Sequence, residues 1–347
     1  MKRTYFSIGF LFCLFSLILP MHSYPESITN KVFEELELYP VADPYQEGCL
    51  QVSTIHNLYY AQFGNPKGLP VLILHGGPGA GCDVSLSAFF DLSYYRVIMV
   101  DQRGAMRSEP FAEMKDNTTD YLIEDMEILR KHLEIDKWLL FGGSWGSALA
   151  LLYGQAYPEQ ILGFILRGVC LARKKDYEHI FYGMRQFFPE IWQTMVQSFS
   201  AYEQADLITT LYNKVMDPDP AIHMSAAHLF MHYDTVAGTF RANPDLIAPL
   251  DDKEVLSIAR AFVYYSFNNF FLTDNQILDN LTKISHLPAI IVQGRYDMIC
   301  PPQVAYDLHT QWSKSQLWFI PEGGHFASNP FISRGLKDAL DAMKSIM

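Results

Sequence analysis

Short, continuous apolar runs recur along this chain, and each gives way to glycine or a polar side chain at its carboxyl end. Pro70–His75 runs into glycines, and Tyr95–Asp101 closes on an acid. Lys137–Gly142, Ile161–Gly168 and Pro288–Gly294 repeat the pattern. A strand that is apolar at successive positions is buried on both faces, as in a parallel sheet covered by helices. Leu58–Phe63 also reads as a strand and is followed by the turn Gly64-Asn65-Pro66-Lys67-Gly68. The period then changes. Leu122, Met126, Leu129 and Leu133 recur at helical spacing with acids between them, and Ala148–Tyr153 is helical again. Strands alternating with helices predict an α/β architecture, a mostly parallel sheet flanked by helices with right-handed crossovers.

The alternation stops between 174 and 285. That stretch is rich in Phe, Tyr, Met and His at helical spacings and holds no clear buried strand. It reads as an inserted helical cap. Residues 38–173 and 286–347 then form the two parts of one core. The second part comprises the strand at Pro288–Gly294, a helix near Pro302–Trp312, a strand Gln316–Ile320 and a last helix Ile332–Met347. A chain of 347 residues suits one large α/β domain with an insertion.

Gly142-Gly143-Ser144-Trp145-Gly146 fits G-x-S-x-G between an expected strand and an expected helix. That context marks a nucleophile elbow, a strained turn that exposes a serine oxygen at the edge of an α/β-hydrolase sheet. A serine is a weak nucleophile without a base oriented by a carboxylate. In this fold the partners follow in the order Ser, Asp or Glu, His. Asp297 and His325 occupy those places, each just after a strand that ends in the site. Taken singly, Asp297 suits a turn cap and His325 a surface loop; together and in this order with Ser144 they read as a catalytic triad. Acyl transfer also needs an oxyanion hole. The expected donors are the backbone N–H of Trp145 and one from His75-Gly76-Gly77-Pro78-Gly79, with Gly77 assigned and Gly76 the alternative. Each such donor lowers a barrier by roughly 3 to 4 kcal/mol.

These segments, with Asp101-Gln102-Arg103-Gly104, Gly294-Arg295-Tyr296-Asp297-Met298, Cys300-Pro301-Pro302 and Gly324-His325, resemble the prolyl aminopeptidases, or proline iminopeptidases. The resemblance runs from about Leu38 to the C-terminus. It implies release of N-terminal proline from short peptides with a free N-terminus, without metal or organic cofactor. It also implies that acidic cap residues hold the substrate amine. The family's Trp-x-x-Trp-Glu segment is represented by Phe230-Met231-His232-Tyr233-Asp234, which makes Asp234 one amine-binding carboxylate. Its Ala-Arg-Ile-Glu-Asn segment is represented by Ala259-Arg260-Ala261-Phe262-Val263, so Phe262 replaces the second acid. A buried ammonium needs a partner charge, and the replacement bears on specificity. Arg167 and Cys300 match pocket positions of the family, and Cys170 stands where a phenylalanine is usual. Ala105 and Met106 also depart from the usual residues after Gly104.

Two other readings use the same residues. With Phe262 in place of an acid, the pocket could serve neutral esters or amides. A non-catalytic binding protein of this fold usually lacks a triad member or an oxyanion glycine, and this chain has all of them. Epoxide hydrolase and dehalogenase chemistry uses an aspartate nucleophile, whereas this chain has Ser144.

The net charge of −12 gives no electrostatic footprint for nucleic acid, and no basic stripe is present. No H-E-x-x-H or paired Cys/His spacing suggests a metal. Lys2 and Arg3, the apolar run Tyr5–Leu19, Pro20 and the small Ser23 read as a signal peptide over residues 1–23, which predicts a periplasmic or secreted protein. An uncleaved segment would act as an anchor, and initiation at Met21 would leave the protein cytoplasmic. Of five cysteines, Cys13 falls in that segment. Cys49, Cys82, Cys170 and Cys300 are expected as free thiols, since a chain this large needs no staples, although four cysteines permit three disulfide pairings.

Overall fold

A computed structural model describes residues 38–240 and 250–347. The segment read as a signal peptide lies outside the described residues. In chain order the strands are β1 (Gln46–Gln51), β2 (Asn57–Gly64), β3 (Leu69–Leu74), β4 (Tyr95–Val100), β5 (Trp138–Ser144), β6 (Ile161–Val169), β7 (Ala289–Gly294) and β8 (Ser315–Ile320). They form one sheet in the order β1-β2-β4-β3-β5-β6-β7-β8. β1 and β2 pair antiparallel, as do β2 and β4, and every other pairing is parallel.

Alternation of side chains across the sheet builds two cores from one set of strands. Val71 and Ile73 of β3, Val97 and Met99 of β4 and Leu139 and Phe141 of β5 share one apolar cluster. Leu72, Leu74, Ile98, Val100 and Leu140 belong to the other. The helices of the first half are α1 (Thr119–His132) and α2 (Trp145–Ala156). Met126 and Leu129 of α1 and Leu149 of α2 pack in the second cluster. The last helix, α11 (Pro330–Lys344), places Ile332, Leu336, Leu340 and Met343 on the first. Its start is two residues earlier than the spacing of apolar residues suggests. Asn329 Oδ1 accepts from the N–H groups of Phe331 and Ile332, and Pro330 occupies the first turn, where its missing N–H costs nothing.

Between β6 and β7 the chain is helical: α3 (Lys174–Glu178), α4 (Pro189–Val196), α5 (Ala201–Ala205), α6 (Leu207–Val215), α7 (Pro220–Gly238), α8 (Asp252–Phe267) and α9 (Gln276–Asp279). α7 begins with Pro220 behind an Asp219 cap, and α8 with an Asp251 cap. The aromatic residues of this segment pack on one another. The Phe262 ring stacks on Phe230 at 5.2 Å and lies 5.7 Å from Phe181. Phe181, Phe230 and Phe262 join the same cluster as Leu72 and Leu140. The insertion therefore shares a core with one face of the sheet. α10 (Pro302–His309) ends three residues before Trp312, and the Trp312 indole N–H turns inward to the carbonyl of Leu287.

Candidate active site

Strand β5 ends at Ser144, and α2 begins at the next residue. Ser144 has φ 57° and ψ −128°, a conformation that L-residues rarely adopt. The turn is possible because Gly146 carries no side chain: a methyl group there would run into the carbonyl oxygen of Leu74 at the end of β3. The start of α2 thus lies directly against β3, and the Ser144 side chain lines a cavity of about 840 Å³.

His325, after β8, reaches the same cavity wall, and Asp297, after β7, is buried against it. His325 Nδ1 lies 2.9 Å from Asp297 Oδ2 and 3.0 Å from Oδ1. Asp297 is 1% exposed, and its oxygens are further occupied. Oδ1 accepts from the N–H groups of Ile299 and Cys300 at 3.1 and 2.8 Å, and Oδ2 from Gln293 Nε2 at 3.2 Å. A carboxylate held by this many donors can turn in no other direction. With Nδ1 donating to it, the imidazole keeps its lone pair on Nε2. His325 and Ser144 both line the cavity.

The glycine-rich loop after β3 is fixed by a buried histidine. His75 Nε2 accepts from the N–H of Gln102 at 2.9 Å, so Nδ1 carries the proton that goes to the Gly76 carbonyl, also at 2.9 Å. Burial pulls the His75 pKa down and keeps the ring neutral. Gly77 follows with φ +103°, which an L-residue would adopt only under strain. Gln102 completes the link. Its Nε2 donates to the His75 carbonyl at 2.9 Å, and its Oε1 accepts from the Trp145 indole N–H at 2.9 Å. One buried amide therefore ties the Gly77 loop to the residue after Ser144, the two expected sources of oxyanion donors.

Arg167 lies on β6 opposite Gly143. Its Nη1 donates to the His325 carbonyl at 2.8 Å and approaches Nε2 at 3.4 Å. Burial lowers its pKa, and the Asp297 charge acts in the opposite sense. Cys300 contributes its N–H to Asp297 and its side chain to the cavity wall.

From the cap, α7 brings Asp234 into the cavity. Desolvation pushes its carboxyl up to about 6, the nearby Asp297 charge adds to the rise, and His325 opposes it. Phe262 is buried in the aromatic stack and forms apolar wall. Glu254, at the start of the same α8, also lines the cavity, and desolvation raises its pKa as well. The sequence offered no signal for it, because an acid in the first turn of a helix is ordinary dipole chemistry. Gln102 stood out in the sequence only as part of Asp101-Gln102-Arg103-Gly104, and its linking role was not legible, since its partners are 27 and 43 residues away. Among the described residues no three His, Cys, Asp or Glu side chains are grouped to hold a metal ion. Among the same residues no helix is long and apolar enough to cross a membrane.

The family model described as alpha/beta hydrolase fold matches residues 70–328. The chain is 41% identical to a probable proline iminopeptidase of Leptolyngbya boryana over 308 residues, 88% of this chain and 96% of that protein. It is 40% identical to a proline iminopeptidase of Arabidopsis thaliana, over 89% of this chain and 83% of that one. Among solved structures, the proline iminopeptidase of Mycobacterium smegmatis aligns with a TM-score of 0.57 at 16% identity, covering 87% of this chain and 99% of its own. A bromoperoxidase from Bacillus anthracis aligns with a TM-score of 0.62 at 19% identity, over 86% and 100%. At such identities these two structures speak for the fold alone.

Proposed function

The chain belongs to the proline iminopeptidase family of the alpha/beta hydrolase fold, and we propose that it releases N-terminal proline from short peptides by acyl transfer through Ser144. The observation that carries this reading is a carboxylate, Asp234, in the same cavity as a strained serine and a histidine bonded to a buried aspartate.

His325 Nε2 takes the Ser144 hydroxyl proton as the oxygen attacks the first peptide carbonyl. The N–H groups of Gly77 and Trp145 receive the negative charge that develops on the carbonyl oxygen. The imidazolium, held by Asp297, then protonates the departing amine. Water, activated by the same imidazole, hydrolyses the prolyl-enzyme. Asp234 anchors the protonated secondary amine of the substrate. Pairing restores to its carboxylate some of the stabilisation that desolvation removes. The half-buried Arg167 holds the His325 backbone in place, and Cys300 bounds the pocket beside Asp297. Residues 1–23 act as an export signal in this reading, supported by the basic start and short apolar run.

One observation favours a second reading: Phe262 gives the cavity an apolar wall, which suits a neutral ester or amide. Turnover of free prolyl-anilide, of its N-acetyl form and of a short acyl ester separates the two, with Ser144→Ala as control. The aminopeptidase reading requires that free prolyl-anilide be the preferred substrate. Faster turnover of the acetylated compound or the ester overturns it.

A further inference from the structure

Two thiols meet at the wall of the substrate cavity. Cys170 follows the last residue of β6, and Cys300 follows the Asp297 turn, so they come from separate loops. Both line the cavity, and Cys170 is near enough to Cys300 to raise its thiol pKa. A buried amide holds the loops together: Gln293 Oε1 accepts from the N–H of Val169 at 3.2 Å, and its Nε2 donates to the Cys300 carbonyl at 3.0 Å. The Cys170 N–H is itself fixed by Ser147 Oγ at 2.9 Å. The two backbones are thus set on either side of a thiol pair. Cys49 is exposed, and Cys82, although it lines the same cavity, is buried with its Sγ on the carbonyls of Ile73 and Val100.

We propose that Cys170 and Cys300 form a reversible disulfide site in the substrate pocket, closed by a low-molecular-weight disulfide and opened by a dithiol. The exchange goes in two steps. The Cys170 thiolate attacks one sulfur of the external disulfide and expels its first thiol. Cys300, after losing its proton, attacks the Cys170 sulfur and expels the second. The two cysteines lose two electrons and two protons, and the external disulfide gains them as two thiols. Cys170 is the entry point because it is half-buried, whereas Cys300 is buried and its thiol pKa is pushed far up by the contact with Cys170 and by desolvation. The closed bond ties the end of β6 to the loop whose N–H groups hold Asp297 Oδ1. It thereby reshapes the pocket and reduces turnover.

The site is read directly by mass. The full chain is treated with oxidised glutathione, free thiols are blocked, and digests are searched for a Cys170–Cys300 linked peptide, with a mass loss of about 2 Da for two hydrogens. kcat/KM for whichever substrate the wild type turns over is measured before oxidation, after it, and after dithiothreitol. The expected result is the linked peptide together with a fall in kcat/KM that dithiothreitol reverses. The ratio of oxidised to reduced activity, taken within each variant, should stay at one in Cys170→Ser and in Cys170→Phe. Absence of the linked peptide, or its formation with kcat/KM unchanged, overturns the proposal. The peptide map is independent of substrate, so failure of the aminopeptidase reading leaves this test intact.

Discussion

Asp234 sets the pH response of substrate binding. The substrate amine is protonated across the acid range, so pairing depends on the carboxylate being charged. The Asp234 pKa stands at about 6, hence the charged form is present above that pH and lost below it. We expect kcat/KM for free prolyl-anilide to fall as pH drops through about 6, because that quantity reports the free enzyme. Asp234→Asn should raise KM for the free amine by about 10- to 100-fold and leave the acetylated substrate little changed. A proportional loss on both substrates would refute the assignment. At Ser144, replacement by alanine should lower kcat by at least about 10³-fold, with the protein still folded by circular dichroism. Gln102→Ala acts at one remove. It leaves the buried Trp145 indole without its partner at a cost of about 1–3 kcal/mol and frees the Gly77 loop. We expect kcat to fall about tenfold with KM nearly constant; an unchanged kcat would show that the link does not position the donors.

At the scale of elements, the residues most legible in the sequence are those whose neighbours in the chain determine their place. The buried strands β3 to β7 were readable because an apolar run has only one kind of home, between two layers. Ser144 was readable because the elbow is local, and Asp297 and His325 because each follows its own strand. β1 was not singled out: Gln46–Gln51 is polar, lies at the sheet edge and is defined only by pairing with β2. The α-helices between β6 and β7, seven among the described residues, were legible as helical material and not as individual elements, since their ends depend on caps such as Asp219 and Asp251. Gln102 and Glu254 acquire their roles from contacts between distant segments, which no local pattern records. The elbow itself makes a prediction. Gly146→Ala places a methyl against the Leu74 carbonyl, so the elbow must shift. Loss of activity should exceed that of Gly154→Ala, whose new methyl would meet the side chains of Phe164 and Ile284.

For the molecule as a whole, the cap and one face of the sheet share a single apolar cluster that runs from Leu140 to Phe181 and Phe230. A segment whose own core is continuous with its host's has no separate stability to lose. Thermal unfolding followed by tryptophan fluorescence and by far-UV circular dichroism should give coincident transitions. Leu140→Ala, in the sheet, should lower both by the same amount, about 2–5 kcal/mol. Two resolved transitions would mean that the cap unfolds independently.

The cavity volume has a consequence for the enzyme's surroundings. A space of about 840 Å³ falls within the range of small-molecule sites and admits only a few residues of extended chain. A folded protein cannot follow its own first residue into such a space. The same walls that shape the substrate therefore protect mature proteins from trimming. Such a peptidase coexists with folded proteins by geometry alone, drawing on the short fragments of their turnover.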